Sequence, residues 1–243
     1  MKLDKKRIVV TGGTSGIGYE ITKLLQKDNE VIVISRSSKK LNKLAQEFES
    51  ITTFQADLSK LDDIENVADI IVKRFESIDV LINNAAVQNT PSFLDDDFRY
   101  ETISHEITLN FTSPCSLSYL LLPCLLHCNE AVILNINSGL ALAPKTSSAI
   151  YCGTKGALNI FSQSLHYQLE KTNIKVQQAF LDLVDTVMTT GRGKNKMSSE
   201  QAAIKILQGV KKGIPENDIG KVSLLRFLLR LIPSLARRIL KKH

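Results

Sequence analysis

The chain has 243 residues, 43% of them apolar and 23% charged, which suits one α/β domain with a sizeable buried core. Its net charge of +6 is unevenly placed: residues 221–243 hold seven of the 31 Lys/Arg and no Asp/Glu, which leaves 24 basic against 25 acidic residues, a net of −1, in residues 1–220. A neutral body with a basic end gives no support to a nucleic-acid surface on the body, and no run of about 18 uncharged apolar residues is present to span a membrane.

Met1 to Arg7 is polar and the apolar run after it is only Ile8-Val9-Val10, so no signal peptide is expected. Cys115, Cys124, Cys128 and Cys152 fit neither a disulfide framework nor a zinc pattern. Cys124, His127 and Cys128 share one expected helix, but without a second ligand pair nearby they read as buried thiols rather than a metal site, in a reducing cytoplasm.

Arg7 to Thr11 reads as a buried parallel strand. Gly12-Gly13-Thr14-Ser15-Gly16-Ile17-Gly18 follows, and then a helical pattern with Ile17, Ile21, Leu24 and Leu25 on one face. Strand, glycine-rich turn and helix in that order let backbone N–H groups approach a pyrophosphate where the helix dipole also favours negative charge. The second strand, Glu30 to Ile34, ends in Ser35-Arg36-Ser37-Ser38-Lys39-Lys40. An acid at that strand end would hold the ribose 2′-hydroxyl of NAD; an arginine accommodates the 2′-phosphate of NADP. Arg36 with Ser37 and Lys39 or Lys40 therefore favours NADP over NAD, while one or both lysines also fit the solvated start of the next helix.

Lys39 to Phe48 is helical, Ile51 to Gln55 is the third strand, and Asp57-Leu58 follows, with a carboxylate able to accept from an adenine amino group. Leu61 to Phe75 is a helix. Asp79 to Ile82 is a strand running into Asn83-Asn84-Ala85-Ala86, where amides pin the strand end and small residues let the backbone pass close to a ligand. Val87 to His105 reads as irregular. Ile107 to Leu126 reads as one long apolar helix carrying Asn110, bent at Ser113-Pro114. Ala131 to Ile136 is the fifth strand, with Asn137-Ser138 at the end where ligands bind in open α/β sheets.

Ala149 to Lys171 is helical and carries Tyr151 and Lys155 one turn apart on one face. A lysine ammonium near a phenol favours the phenolate, so it would lower the Tyr151 pKa from about 10 and suit it to proton transfer near neutral pH. Ile174 to Phe180 is the sixth strand, Thr189 to Ser199 reads as an open polar loop, and Ser198 with Gln201 forms a capping box for a helix to Lys212 closed by Gly213.

Thr11-Gly12-x3-Gly16-x-Gly18, Asp57, Asn83-Asn84-Ala85, Asn110, Ser138 and Tyr151-x3-Lys155, in this order and spacing, resemble the short-chain dehydrogenase/reductase family over residues 5 to 190. The resemblance implies a Rossmann-type doubly wound parallel sheet of about six strands, order 3-2-1-4-5-6, with helices on both faces. Residues 1–220 would form this single domain, and 221–243 a basic amphipathic helical tail packed on it or extending from it. It implies a catalytic tetrad of Asn110, Ser138, Tyr151 and Lys155: Tyr151 as acid/base, Ser138 supporting the oxyanion, Lys155 lowering the Tyr151 pKa and contacting the nicotinamide ribose, Asn110 holding a water that links Lys155 to solvent. Gly12, Ser15, Gly16, Ile17, Gly18, Arg36, Asp57, Leu58, Asn84, Ala85, Tyr151, Lys155 and Thr186 would bind the dinucleotide. The partners it implies are a small carbonyl or alcohol substrate and further copies of the chain, as a dimer.

Two departures stand out. The family's Pro-Gly after the sixth strand reads Leu181-Asp182 here, and no seventh strand or glycine-rich tail is apparent. In the tail, Arg226, Arg230, Arg237 and Lys241 share a helical face, leucines fill the rest, and Pro233 divides the run into two short helices. Packing on the core, a dimer or partner surface, and peripheral contact with the inner face of a membrane all fit it. The ending, with Leu183-Val184-Asp185-Thr186, resembles a bacterial subgroup that includes the accessory reductase of lipoteichoic-acid D-alanylation operons. The leading function is NADP-dependent interconversion of a carbonyl and an alcohol; the alternative is a dinucleotide-binding regulatory or membrane-associated protein with a vestigial site.

Overall fold

A computed structural model describes residues 1–193 and 195–241. Strands and helices alternate as β1 (Arg7–Thr11), α1 (Gly16–Leu25), β2 (Glu30–Ser35), α2 (Ser38–Glu47), β3 (Ile51–Gln55), α3 (Leu61–Arg74) and β4 (Val80–Asn83). The second half runs through α4 (Glu101–Ile107), α5 (Ser113–Leu120), α6 (Leu122–Leu126), β5 (Ala131–Ser138), α7 (Ala149–Leu169), β6 (Ile174–Leu181), β7 (Val184–Asp185), β8 (Met197–Ser198), α8 (Ser199–Lys212), β9 (Glu216–Ile219), α9 (Val222–Leu231) and α10 (Pro233–Lys241). Seven strands form one parallel sheet, order β3-β2-β1-β4-β5-β6-β9.

Strand alternation sorts the core onto two faces. Ile8, Val10, Val31 and Val33 point toward Ile21 and Leu25 of α1 and Ala203 and Ile206 of α8. Val9, Ile32, Leu81 and Ile133 point the other way, toward Ile64 and Ile71 of α3 and Leu117 of α5. Every strand is parallel, so all carboxyl ends open on one edge. The order reverses between β1 and β4, which leaves a crevice there.

The long apolar helix differs from its expected form. It begins at Glu101 and passes through a π turn, Thr108–Thr112, before α5, and it breaks again at Leu121. Pro114 has no N–H to donate to the Asn110 carbonyl four residues back, so the helix widens there, and the Ser113 N–H reaches the Thr108 carbonyl instead. The seventh strand is also a correction. Glu216-Asn217-Asp218 has no apolar run and did not read as a strand, but an edge strand needs little apolar surface and tolerates charge; only Ile219 is buried. The polar loop after β6 is tethered as well. β7 pairs with β8, and the Lys196 ammonium binds Asp185 at 2.7 Å and the Thr189 carbonyl at 3.1 Å. Lys194 in that loop lies outside the described residues.

At the C-terminus, Pro233 does separate two helices. They pack on the body through buried Val222 and Ala236, and Arg226 forks onto Asp218 and Glu216 at 2.9 Å with its guanidinium 4.8 Å above the Phe180 ring.

The edge strand rests on α8 where Gly209 has no side chain: a Cβ there would lie 2.2 Å from Asn217 Nδ2. Gly209→Ala is expected to displace Asn217, break its bond to the Lys205 carbonyl and cost about 1–3 kcal/mol by overpacking. Urea unfolding measures this, and a variant as stable as the parent would mean β9 does not pack there.

Candidate active site

The crevice is built around Thr11 at the end of β1. Its hydroxyl accepts from the N–H groups of Asn84 (2.9 Å) and Ala85 (3.0 Å) and contacts the Ile82 carbonyl at 3.3 Å. Asn84 returns its side-chain amide to the Thr11 carbonyl at 2.9 Å. This draws the exit of β4 onto the glycine-rich turn so closely that side chains are excluded. A Cβ on Gly18 would stand 2.3 Å from the Gly12 carbonyl oxygen and 2.5 Å from Asn84 Nδ2. Gly12 holds φ at +67° with the Ala85 backbone against it.

At the start of α1, Ser15 makes no side-chain cap and the first turn has no acid. The first-turn N–H groups, at the positive end of the helix dipole, thus have neither a capping side chain nor an acid against them, which fits a pyrophosphate. Thr186 reaches the same turn from beyond β6, since a Cβ on Gly16 would meet its methyl at 3.2 Å. Arg36 is exposed at the end of β2, and Ser37 caps α2. Lys39 and Lys40 lie exposed in that helix's first turn, in keeping with the solvated start of a helix. Burial pushes the Asp57 carboxyl up, but bonds from the Ser59 hydroxyl and N–H and the charges of Arg36 and Lys60 outweigh it, so Asp57 stays below its ordinary value. Leu58 beside it is buried.

Ser138, Tyr151 and Lys155 gather at the end of β5. Ser138 closes that strand, and its hydroxyl accepts from the Leu140 N–H at 3.1 Å. Tyr151 and Lys155 come from the first turns of α7. The Lys155 ammonium is buried, donates to the Ile136 carbonyl at 2.8 Å, and lies 5.7 Å from the Tyr151 ring centroid. With little water around it, its pKa falls to about 8. Tyr151 as a whole is half-buried, but its hydroxyl is enclosed, and burial pushes its pKa up to about 12 although a hydrogen bond with the Ser138 hydroxyl pulls the other way. The expected lowering by Lys155 is therefore absent from this state: the ammonium is turned onto Ile136, and desolvation of the phenolate dominates.

Asn110 is completely buried in the π turn. Its oxygen accepts from the Val87 N–H at 2.8 Å, and its amide donates to the Val87 carbonyl at 2.8 Å and to Thr154 Oγ1 at 3.3 Å. The side-chain amide is thus engaged by protein partners, and it locks the exit of β4 to α7. Thr154 and Thr11 were not singled out as site residues. Neither was Glu106, a buried carboxyl whose pKa burial raises and which receives Asn89 N–H and Nδ2. Sequence signals exist for Thr11, which opens the glycine-rich motif, and for Thr154, one residue before Lys155. Glu106 lies beside Phe93, Phe98 and Ser148 in a cleft of about 10 Å³, room for roughly one water. Gln88 joins Arg192 at 2.7 Å, so the chain after β4 and the chain after β6 meet over this region. A broader concavity of about 680 Å³ lies at the opposite edge of the sheet, among Lys6, Arg7, Glu30 and Asp79. There Lys6 pairs with Asp79 and Arg7 with Glu30, and none of the residues above lines it.

No group of three or more His, Cys, Asp or Glu able to hold a metal occurs among the described residues. Cys124 and Cys128 donate to the Phe75 and Ile78 carbonyls.

The family model for short chain dehydrogenases matches residues 6–197. The Bacillus subtilis protein described as uncharacterized oxidoreductase DltE is 34% identical over 233 residues, covering 93% of this chain and 92% of its own. Coverage that wide must extend past residue 197 toward the C-terminal helices. A short-chain dehydrogenase from Burkholderia cenocepacia, solved with NADP, superposes with a TM-score of 0.88 at 20% identity over 99% of each chain. One from Burkholderia phymatum, solved with NAD, gives 0.84 at 16% identity, covering 95% of this chain and 96% of its own. At such identities the likeness is one of fold.

Burying Lys155 charged has a thermodynamic signature. Below pH 8 the cost of its desolvation is present in full; between about pH 8 and its ordinary value near 10.5 only the unfolded chain keeps the proton, so stability rises with pH. Relative to Lys155→Met, the parent is expected to gain up to about 1.4 kcal/mol per pH unit above pH 8 in urea unfolding. A difference that stays constant across this range would mean that the ammonium is not desolvated.

Proposed function

The chain belongs to the short-chain dehydrogenase/reductase family of oxidoreductases, and from that premise we propose that it interconverts a carbonyl and an alcohol with NADP, using Tyr151 as the acid/base. The observation that carries the reading is the convergence of Ser138, Tyr151 and buried Lys155 at the carboxyl end of β5, across the crevice from a helix N-terminus that carries no cap and no acid. NADP, when bound, supplies or accepts the hydride.

The chain's residues would do the rest. Gly12, Ser15, Gly16, Ile17 and Gly18 hold the pyrophosphate, Asp57 and Leu58 flank the adenine, and Asn84, Ala85 and Thr186 line the path toward the nicotinamide. With its pKa pushed up to about 12, Tyr151 carries its proton at neutral pH, the form required to protonate a carbonyl oxygen during reduction. Ser138 donates to the same oxygen as negative charge develops on it. Lys155, protonated below about pH 8, turns from Ile136 toward the ribose and the phenol and lowers the cost of the phenolate that remains after proton transfer. Asn110 supports this by fixing Val87 and Thr154, and the water link to Lys155 belongs to the same arrangement.

The preference for NADP rests on Arg36 and on the lack of an acid at the end of β2. A homo-oligomer, as a dimer, fits the exposed Ile160 and Tyr167, which lie seven residues apart on one face of α7. A cytoplasmic protein with peripheral membrane contact at its C-terminus fits the four free cysteines and the basic tail. No described helix is long and apolar enough to cross a membrane.

Tyr151→Phe is expected to lower carbonyl reduction at least about a hundredfold while leaving NADPH affinity within about threefold of the parent, the size usual for a positioned acid. Turnover at the parental rate would remove Tyr151 from the mechanism. Arg36→Asp is expected to shift the NADPH-over-NADH ratio of kcat/KM toward NADH by about tenfold or more, a loss of one charge-assisted contact. An unchanged ratio would detach Arg36 from the 2′-phosphate.

A further inference from the structure

We propose that α9 and α10 dock the protein on an anionic lipid bilayer with the mouth of the active site at the lipid surface. This deepens the peripheral contact suggested above by naming the surface, its chemistry and its relation to the site.

The two helices present an apolar ridge to solvent. On α9, Leu224, Phe227 and Leu231 recur at helical spacing and are 56%, 57% and 59% exposed. On α10, Leu235 and Ile239 continue the ridge one turn apart and are also exposed. The helices are held on the body through buried Val222 and Ala236 and through the Arg226 fork onto Asp218 and Glu216. The same two helices and the turn into them carry Lys221, Arg230, Arg237, Arg238 and Lys241, all exposed, and residues 221–243 contain no acid. That charge selects the occupant. A second copy placed ridge to ridge would bring the same basic side chains together, whereas an anionic headgroup layer complements them while its acyl boundary takes up the leucines and Phe227.

The packed side of the two helices places them next to the chemistry. Gly139, next to Ser138, has no side chain, and Leu225 and Val222 of α9 approach to 3.4 Å of where its Cβ would be. At the other end the Lys241 carbonyl accepts from Thr146 at 2.6 Å, in the segment that leads into α7 and Tyr151. Docked by this face, the enzyme would meet a carbonyl or alcohol partitioned in the bilayer.

The test is co-sedimentation of the full chain with vesicles of phosphatidylcholine alone or mixed with phosphatidylglycerol. The chain is expected to pellet with the mixed vesicles only, and to be released as salt rises from roughly 0.1 M to 1 M and the screening length falls from about 10 Å to 3 Å. Phe227→Ser with Leu231→Ser, and separately Arg237→Glu with Arg238→Glu, should each weaken vesicle binding at least about tenfold, with unchanged circular dichroism and NADPH binding. Recovery of the parent in the supernatant with mixed vesicles would overturn the proposal. So would variants that pellet like the parent, or a dimer-to-monomer change in light scattering for the apolar pair without loss of vesicle binding. Tyr151→Phe should pellet like the parent, so failure of docking and failure of the redox assignment are read separately.

Discussion

Thr11 stands where the strand order reverses, and its hydroxyl holds two strands in a relation that everything nearby obeys. Accepting from the Asn84 and Ala85 N–H groups brings the exit of β4 against the turn after β1. The Asn84 amide closes the contact from the other side. With the backbones this close there is no volume for a side chain at Gly18 and little at Gly12, so the glycine pattern is a consequence of the contact as much as of any ligand. The same contact fixes the start of the chain that leads to Val87, which Asn110 then grips through both backbone groups. The glycine-rich turn and α7 are thereby joined by hydrogen bonds from Thr11 to Asn84, the short backbone run to Val87, and hydrogen bonds from Val87 through Asn110 to Thr154 beside Lys155.

Desolvation decides the electrostatics at the other end of that path. Lys155, Tyr151 and Glu106 are all enclosed, and in each the neutral form gains: the lysine titrates near 8, the tyrosine near 12, and the carboxyl is raised. A local rule, lysine beside tyrosine, gives the opposite sign for Tyr151 because it considers the pair and not the water taken away from it. Nearby amides bond to one another instead. Asn83 donates to Asn135, which donates to Ser162; Asn137 donates to Gln178, which donates to Asn159. These chains tie β4, β5 and β6 to α7 across what would otherwise be an apolar core, and they hold the strand ends that carry Ser138 and the Ile136 carbonyl.

Much of this was legible in the chain because the signals are local. Ile8-Val9-Val10 and Val31-Ile32-Val33-Ile34 could only be buried parallel strands, the turn after Thr11 carried its glycines in sequence, and Tyr151 and Lys155 were one helical turn apart. Ser198 and Gly213 marked the ends of α8 as expected, with Ser198 accepting from the Gln201 N–H and Gly213 at φ +67°. What was not legible depends on contacts between distant segments. Glu216-Asn217-Asp218 becomes a strand only because β6 offers an unpaired edge. Glu106 becomes a buried carboxyl only because Asn89 folds back on it, and β8 exists only because Val184 lies within reach. The sequence predicts a bend at Ser113-Pro114, but the form of the distortion, a π turn that ends two residues before Pro114, follows from where the missing N–H leaves its carbonyl.

The departure at Leu181-Asp182 resolves at the same edge. Asp182 and Gly220 touch: a Cβ on Gly220 would lie 2.9 Å from the Asp182 Cβ, and Gly220 adopts φ +75°. At least one of these two positions must lack a side chain, and here it is the one after β9 rather than the one after β6. Asp182 then continues the pairing of β6 with β9 by donating its N–H to the Ile219 carbonyl at 3.3 Å, and its carboxylate turns back to accept from the Leu183 N–H at 2.7 Å. An exposed acid engaged with its own backbone explains how the fold accommodates the change. The corner at Gly220 has a second effect. It turns the chain directly into Val222, which packs over Gly139 beside Ser138, so the residue that relieves Asp182 is also the one that brings the C-terminal helices to the edge of the reactive groups.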